Sequence, residues 1–310
     1  MSVFENSRAC RIVAGDAAEG RLSHAYLLVC PDERNLRGFL KELAVYILRA
    51  DERAARLIAA ERYADCRVFP AEGQKATVAD VKELLEDAYI RPTEGDAKLF
   101  VFDRMQEMLP PAQNKLLKVL EEPPQGVYFL LGTTSEFPVL PTIRSRAKRL
   151  DLFSFSQKEV EAHLRARYPY LQDAAWIAAA SDGVLGRAEQ LAEEGAASGT
   201  EQELAMLALT LSPAGIPAAA RKYAEKGMGA RFFPLFRLIL RDLLMLKLGR
   251  EDLCLSGADR DILRRAAVRY SEATLVSALE GIEKAEKNLK FNANLSMSLE
   301  ELFAAIVEGR

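Results

Sequence analysis

The stretch that decides the fold is residues 115–149, which read KLLKVLEEPPQGVYFLLGTTSEFPVLPTIRSRAKR. A helical pattern ends there at Pro123-Pro124, and a continuous apolar strand is predicted from Val127 to Leu131. A Thr-Thr turn and then Arg144-Ser145-Arg146 follow. This order predicts a polar group and an exposed arginine after the carboxyl end of a buried strand. Proteins driven by nucleotide hydrolysis keep their sensing residues at such a place.

Short apolar runs and helical patterns alternate through the first half of the chain. The predicted strands are Ala25–Val29, Cys66–Phe69, Lys98–Phe102, Val127–Leu131 and Lys148–Leu152. The helical patterns between them lie at about 36–60, 77–90 and 111–122. Strands that alternate with helices predict a parallel sheet with right-handed crossovers.

No strand is predicted after Leu152. Ser156 and Glu159 form a capping box for a helix, and the small, polar tract from Gly195 to Thr200 is typical of a linker. We therefore predict three domains: an α/β domain over 1–153, a small helical domain over 154–197 and a larger helical domain over 198–310.

The composition is that of a soluble globular protein. The 310 residues carry a net charge of −3, so no overall basic field indicates nucleic-acid binding. The four cysteines lack the spacing of metal ligands, which favours free thiols in a reducing cytoplasm. The most apolar segment, 232–248, contains four charged residues and is predicted to be a buried helix rather than a membrane span.

The junction after the first strand is where nucleotide-binding α/β domains carry GxxxxGK followed by Ser or Thr. Glycine backbone N–H groups cradle the phosphates there, and the lysine neutralises them. The matching positions are occupied by Cys30, Asn35, Leu36 and Arg37. An ordinary strand-to-helix turn and a degenerate phosphate loop both fit this pattern, and neither predicts tight ATP binding.

The third predicted strand ends in Asp103, where a second acidic residue would complete a magnesium and water-activating site. The next residue is Arg104, which cannot act as a base. We therefore expect Asp103 to cap the chain locally rather than to bind a metal, and hydrolysis by this chain alone is not expected. Thr133 and Thr134 match a sensor position but are equally typical of a turn.

Charged side chains flank the fourth predicted strand. Glu121 and Glu122 lie at a helix C-terminus, where the macrodipole disfavours anions. Either a solvated helix end or an acidic partner surface explains them. Arg146 is either a solvated residue of the basic turn formed with Arg144, Lys148 and Arg149 or a functional guanidinium, and its spacing alone favours the former.

Four strings carry a family resemblance when taken in order. HAYL at 24–27, LFVFD at 99–103, NKLLKVLEEPP at 114–124 and PTIRSR at 141–146 resemble bacterial clamp-loader subunits of the AAA+ class, most of all the delta-prime family of DNA polymerase III. Weaker similarity extends to Ser181-Asp182-Gly183 and Gly186-Arg187-Ala188, which are similar to a second-sensor segment, and to 289–294, similar to the end of a collar domain.

The resemblance implies a RecA-like parallel-sheet domain, a helical lid and a helical collar. It implies a pseudo-ATPase subunit of the polymerase holoenzyme, in which Arg146, supported by Ser145, acts in trans as an arginine finger on ATP held by a gamma/tau neighbour. The implied partners are gamma/tau and delta subunits in a heteropentamer, the sliding clamp and primed DNA through the assembly.

Two departures from the family pattern are visible. Ala147 stands where a cysteine usually follows Ser-Arg, which leaves the charge of the arginine intact. Of the four-cysteine zinc module expected near residues 50–66, only Cys66 is present, and residues 49–65 are predicted to form a charged helix. No zinc, no ATP of its own and no membrane contact are therefore expected.

Two other functions remain open at this point. The chain could be an autonomous AAA+ ATPase with an atypical phosphate loop. It could also be a helical adaptor that binds DNA through the basic turn around Arg146, although the net charge of −3 disfavours this.

Overall fold

The computed structural model describes residues 3–171, 174–193, 200–225, 229–289 and 294–309. The chain divides into two compact units. The first comprises Met1–Phe155 and Val184–Gly186, and the second comprises Ser156–Gly183 and Arg187–Arg310. The division into three domains at 153 and 197 stays a prediction. The predicted linker at 195–200, and with it the second boundary, lies almost wholly outside the described residues.

The first unit is built on a five-stranded parallel sheet in the order β2-β3-β4-β1-β5. The strands are β1 Ala25–Val29, β2 Cys66–Phe69, β3 Lys98–Phe102, β4 Val127–Thr133 and β5 Lys148–Asp151. The central strands are almost wholly buried, as apolar runs covered on both faces should be. The predicted parallel sheet is confirmed.

Strand β4 is two residues longer than predicted. Gly132 and Thr133 continue the ladder beside β1, where they pair with Leu28 and Val29. A Cβ atom on Gly132 would lie 2.6 Å from a methyl carbon of Leu40. The glycine therefore allows the strand to pass close to the following helix, and it does not mark the start of a turn.

Six α-helices accompany the sheet in the described part of the first unit. They are α1 Arg8–Ala18, α2 Leu36–Ile47, α3 Glu52–Ala59, α4 Val78–Ala88, α5 Pro110–Glu121 and α6 Pro141–Arg144. The single helix predicted over 36–60 is wrong, because Arg49 adopts a left-handed backbone with φ 49° and Asp51 starts a new helix. The Asp51 carboxylate accepts a hydrogen bond from the Ala54 N–H, which is the usual geometry of an N-cap.

The loop before β3 is organised by the buried carboxylate of Asp65. Its oxygens accept hydrogen bonds from the backbone N–H groups of Thr93, Glu94 and Gly95 at 2.6–2.9 Å. Three such bonds satisfy a buried charge without a metal or a basic partner. They hold the loop that leads into β3 against the loop that precedes β2.

The second unit contains helices and no strand among its described residues. The helices are α7 Gln157–Arg167, α8 Ala174–Ala180, α9 Leu185–Glu193, α10 Thr200–Thr210, α11 Ile216–Tyr223, α12 Gly229–Lys247, α13 Arg260–Val268, α14 Glu272–Leu289 and α15 Leu295–Glu308. The first two residues of α9 belong to the first unit. The capping box of Ser156 and Glu159 at the start of α7 is confirmed. The fold class of an α/β domain followed by helical regions is therefore confirmed.

Helix α12 is the apolar segment that was predicted to be buried. Phe232 and Phe236 stack on each other at 5.0 Å and meet Phe303 edge to face. The fully buried Asp242 accepts hydrogen bonds from the backbone N–H groups of Leu255 and Ser256. In the part of the chain that the structure describes, no helix combines the length and the apolar character needed to cross a membrane.

All four cysteines are buried free thiols. Burial raises the pKa of Cys30 and of Cys66 to about 12, so both stay protonated at neutral pH. Among the described residues, no three His, Cys, Asp or Glu side chains are placed to hold a metal ion together. The expected absence of zinc stays a prediction.

Candidate functional site

The junction of β1 and α2 carries a buried carboxylate where a phosphate loop would hold an anion. Asp32 accepts hydrogen bonds from the backbone N–H and the side-chain amide of Asn35, each at 3.1 Å. It also accepts one at 2.8 Å from the backbone N–H of Gly186, which belongs to the same unit. A Cβ atom on Gly186 would lie 2.3 Å from the Asp32 carboxylate, so this close approach requires glycine. Backbone donors that could serve a phosphate are therefore occupied by the protein's own carboxylate.

The four predicted loop positions lie together at this junction. Cys30 and Leu36 are fully buried, Asn35 is the N-cap residue just before α2, and Arg37 lies in the first turn of that helix. The loop contains no glycine, and the backbone N–H of Asn35 is already bonded to the Asp32 carboxylate. The degenerate character expected from the sequence agrees with this local geometry.

Arg37 extends across the place where a nucleotide-binding domain would hold magnesium. Its guanidinium forms two hydrogen bonds to the carboxylate of Glu61, at 2.7 and 2.6 Å, and a third to the Pro70 carbonyl at 3.0 Å. Its Nη1 atom is 3.6 Å from Oδ2 of Asp103. In phosphate-loop proteins, the residue at the Arg37 position and a strand-end aspartate share Mg²⁺. A protein cation stands beside that aspartate here.

Asp103 forms ion pairs in addition to a hydrogen bond with the backbone of Arg104, and that local bond agrees with the predicted cap. Its carboxylate lies between Arg37 and Arg104, whose Nε is 3.7 Å from Oδ2. The other oxygen, Oδ1, is buried and has no hydrogen-bond partner among the described residues. Burial raises the pKa of Asp103, although the two arginines oppose this effect. Arg104 has a left-handed backbone, with φ 52°, at the sharp turn after β3.

The two threonines at the end of β4 form hydrogen bonds with a glutamine. Thr133 is fully buried, and its hydroxyl contacts Oε1 of Gln106 at 3.0 Å and donates to the Ser135 carbonyl at 2.5 Å. The Thr134 N–H donates to the same Gln106 oxygen at 3.1 Å. Thr133 is thus the last residue of the strand and not a turn residue. These contacts keep its hydroxyl occupied within the fold.

Arg146 lies just after α6, on the partly exposed side of the turn. Its Nη1 donates to the Thr142 carbonyl at 2.8 Å and to the Ser145 hydroxyl at 3.3 Å. Its Nη2 pairs with Oε1 of Glu121 at 2.5 Å. The side chain is 33% exposed. Ser145 therefore touches the guanidinium, which agrees with the supporting part expected for it.

The other basic residues of this turn are paired with acids. Arg144 and Arg149 share Glu136, at 3.7 and 2.6 Å, and Lys148 binds Asp16 at 2.6 Å. The cations that could form a DNA-binding patch are therefore neutralised locally. This arrangement disfavours the adaptor hypothesis, because phosphate contacts would first have to displace these carboxylates.

A buried glutamine that the sequence analysis did not single out positions the arginine turn. Gln113 of α5 is fully buried, and its amide donates to the carbonyls of Met108 and Pro138 at 2.8 and 3.0 Å. Its Oε1 accepts the Leu140 N–H at 2.9 Å. The signal in the sequence was a lone polar residue three positions before Leu116 on the apolar face of α5.

We expect Gln113→Leu to loosen this turn. The leucine fills a similar volume but leaves the Leu140 N–H and two carbonyls without partners, which should cost about 2–3 kcal/mol of unfolding free energy. Thermal unfolding measures the loss. Faster hydrogen exchange at the Leu140 amide would locate it, and unchanged protection of that amide would contradict the assigned contact.

Residues 5–156, almost the whole first unit, match a family profile described as "DNA polymerase III, delta subunit". Residues 5–156 are therefore similar to the DNA polymerase III delta-subunit family. This similarity and the parallel sheet agree with the AAA+ fold class that the sequence predicts.

Similar proteins include further clamp-loader subunits. The DNA polymerase III subunit delta' of Yersinia pestis is 30% identical over 152 residues, covering 44% of this chain and 43% of that protein. The gamma subunit of Buchnera aphidicola is 33% identical over 86 residues, covering 28% and 24%. The matched segments thus span less than half of these relatives. A Thermotoga maritima gamma subunit-related protein of known structure is 18% identical over 96% of this chain and 99% of its own, with a TM-score of 0.45.

The predicted site residues of the first unit fall into two groups. Cys30, Asn35, Leu36, Arg37, Asp103 and Arg104 surround the junction of β1, α2 and β3. Ser145 and Arg146 lie with Glu121 at the end of α5. Of the weaker similarities, Arg187 pairs with Asp182 at 2.8 Å in the second unit. The collar-like segment 289–294 lies largely outside the described residues.

Proposed function

We propose that the chain is a non-catalytic delta-prime subunit of the DNA polymerase III clamp loader. In this role it supplies Arg146 in trans to ATP held by a neighbouring gamma/tau subunit and helps to place the sliding clamp on primed DNA. The gamma/tau and delta subunits are its proposed partners in a heteropentamer. Its proposed location is the cytoplasm.

One observation carries this proposal. Arg146 is partly exposed and contacts Ser145, in a unit whose phosphate-loop region is occupied by charged side chains of the same chain. Asp32 occupies the backbone donors, and Arg37 stands beside the strand-end aspartate. A guanidinium is always charged and can direct two donors at phosphate oxygens. An arginine finger acts on nucleotide held by a neighbouring subunit, so this role does not require a nucleotide site in the same chain.

Co-purification tests the proposal as a whole. The chain should elute with the gamma/tau and delta subunits of its own organism, and the assembly should hydrolyse ATP faster when clamp and primed DNA are added. An assembly that forms and is fully stimulated without this chain would contradict the proposal.

The pseudo-ATPase part makes a separate prediction. Isothermal calorimetry of the isolated chain with Mg-ATP should show no saturable binding up to millimolar nucleotide, because Asp32 repels the phosphates and Arg37 displaces the metal. A gamma/tau subunit in the same buffer is the positive control. Micromolar binding by this chain would favour the alternative, an autonomous ATPase with an atypical loop.

A further inference from the structure

Glu121 holds the guanidinium of Arg146 within the same chain. The Nη2–Oε1 distance is 2.5 Å, and both side chains are partly exposed, Arg146 by 33% and Glu121 by 49%. Nη1 meanwhile contacts Thr142 and Ser145 on the turn itself. Nη1 is therefore held by the turn itself, and Nη2 is held by a residue 25 positions earlier in the chain.

The position of Glu121 is unfavourable for a carboxylate on its own. It is the last residue of α5, where the helix dipole presents negative charge. The ion pair with Arg146 offsets that repulsion and so stabilises the Glu121 carboxylate at the end of the helix. Glu122, the next residue, is also exposed and forms no ion pair among the contacts of the described residues.

We propose that Glu121 is an exchangeable counter-ion that restrains Arg146 until a neighbour's nucleotide replaces it. The inference rests on the proposed function, since it concerns the same arginine. Glu121 is a positioning residue in this scheme and does not touch the nucleotide. It competes with the phosphates for one face of the guanidinium.

The exchange requires little rearrangement. Only the Nη2 contact with Glu121 must break, because the bonds to Thr142 and Ser145 are made by the other terminal nitrogen, Nη1, and can persist. A triphosphate with its several negative charges attracts the guanidinium more strongly than one carboxylate does. An exposed ion pair is also weak, so its release changes binding by no more than about fivefold.

The test compares Glu121→Gln with Glu122→Gln, which removes the same charge one residue away. In the reconstituted, clamp-stimulated assembly, Glu121→Gln should raise kcat/KM for ATP by about two- to fivefold, because the free state loses a competing contact. Glu122→Gln should leave kcat/KM unchanged. Both variants should keep the melting temperature of the parent chain, since both side chains are exposed.

A double-mutant cycle separates this role from a general charge effect. In an Arg146→Ala background, Glu121→Gln should have no further effect on kcat/KM, because there is no guanidinium left to release. A fall in kcat/KM for Glu121→Gln, equal effects of the two glutamine variants, or a persistent effect in the Arg146→Ala background would each overturn the proposal. If Arg146→Ala alone leaves hydrolysis unchanged, the proposed function itself fails, and that result is read independently of Glu121.

Discussion

Replacing Arg146 with alanine is expected to slow hydrolysis at the ATP site that this subunit completes by about a thousandfold. The guanidinium stabilises charge that builds on the transferred phosphoryl group, and no other side chain of the turn can take its place. Arg144, Lys148 and Arg149 are already paired with Glu136 and Asp16. Single-turnover hydrolysis in the clamp-bound assembly measures the effect, because the steady-state rate includes the other ATP sites.

Two controls define what the arginine contributes. Arg146→Lys keeps the charge but loses the two-pronged geometry, so most of the defect should remain. Arg149→Ala removes an exposed cation three residues away that binds Glu136 and Asp151, and it should hydrolyse ATP normally. Normal single-turnover hydrolysis by Arg146→Ala would rule out the finger. A shared defect in Arg149→Ala and Arg146→Ala that disappears in high salt would indicate a DNA-binding patch instead.

Replacing Arg37 with methionine is expected to destabilise the first unit by about 2–3 kcal/mol at neutral pH. The methionine keeps much of the packing but leaves Asp103 buried without one of its two arginines and Glu61 without its bidentate partner. The Arg37 side chain is only 13% exposed, whereas that of Glu61 is 28% exposed. Partial access to water keeps the expected loss below that of a fully buried pair. Urea unfolding followed by circular dichroism measures it.

The loss should depend on pH in a defined direction. A hydrogen bond from Arg37 lowers the pKa of Glu61, so this carboxylate stabilises the fold above its usual pKa and loses that contribution as the pH falls through its lowered folded value. Burial raises the pKa of Asp103, which penalises its charged form above that raised value. Without Arg37, the Glu61 carboxylate loses this stabilising contribution, and the cost of burying the charged Asp103 carboxylate increases. The difference between variant and parent should therefore be largest at neutral pH. It should shrink as the pH falls, first as Asp103 is protonated at its raised pKa and then, below the usual pKa of a glutamate, as Glu61 is protonated.

A triple variant that replaces Arg37 and both of its carboxylate partners is the matched control. Arg37→Met combined with Glu61→Gln and Asp103→Asn should recover much of the lost free energy of unfolding, since no unpaired charge is left behind. Lys41→Ala, which removes the exposed Lys41–Glu61 contact of 3.3 Å and a hydrogen bond to the Ala59 carbonyl, should have a small effect. A loss for Arg37→Met that is the same at pH 4 and pH 7 would show that packing, and not charge pairing, explains the result.

Local chemistry made much of the fold predictable. Strands β1, β2 and β3 have the predicted bounds because short apolar runs flanked by turn residues admit few other structures. The capping box at Ser156 was equally visible, because both of its hydrogen bonds join residues three positions apart. The break between α2 and α3 was missed because Leu48-Arg49-Ala50 contains no glycine or proline to signal it.

The contacts that complete the candidate site were not predictable in the same way. Arg37 and Glu61 are 24 residues apart, and Asp32 and Gly186 are 154 apart. Taken singly, none of these residues indicates its partner, and only the folded chain shows which of them contact each other. Arg146 was identified by its motif, whereas its partner Glu121 had two competing explanations that spacing could not separate.

The pairing of Asp32 with Gly186 and of Arg37 with Asp103 bears on how this unit responds to the energy state of a cell. A ligand stabilises a folded domain only in proportion to its concentration relative to its dissociation constant. If the unit binds no nucleotide, as we propose, neither ATP nor ADP adds to its free energy of unfolding. Its melting temperature should then be the same with excess Mg-ATP, with excess Mg-ADP and without nucleotide.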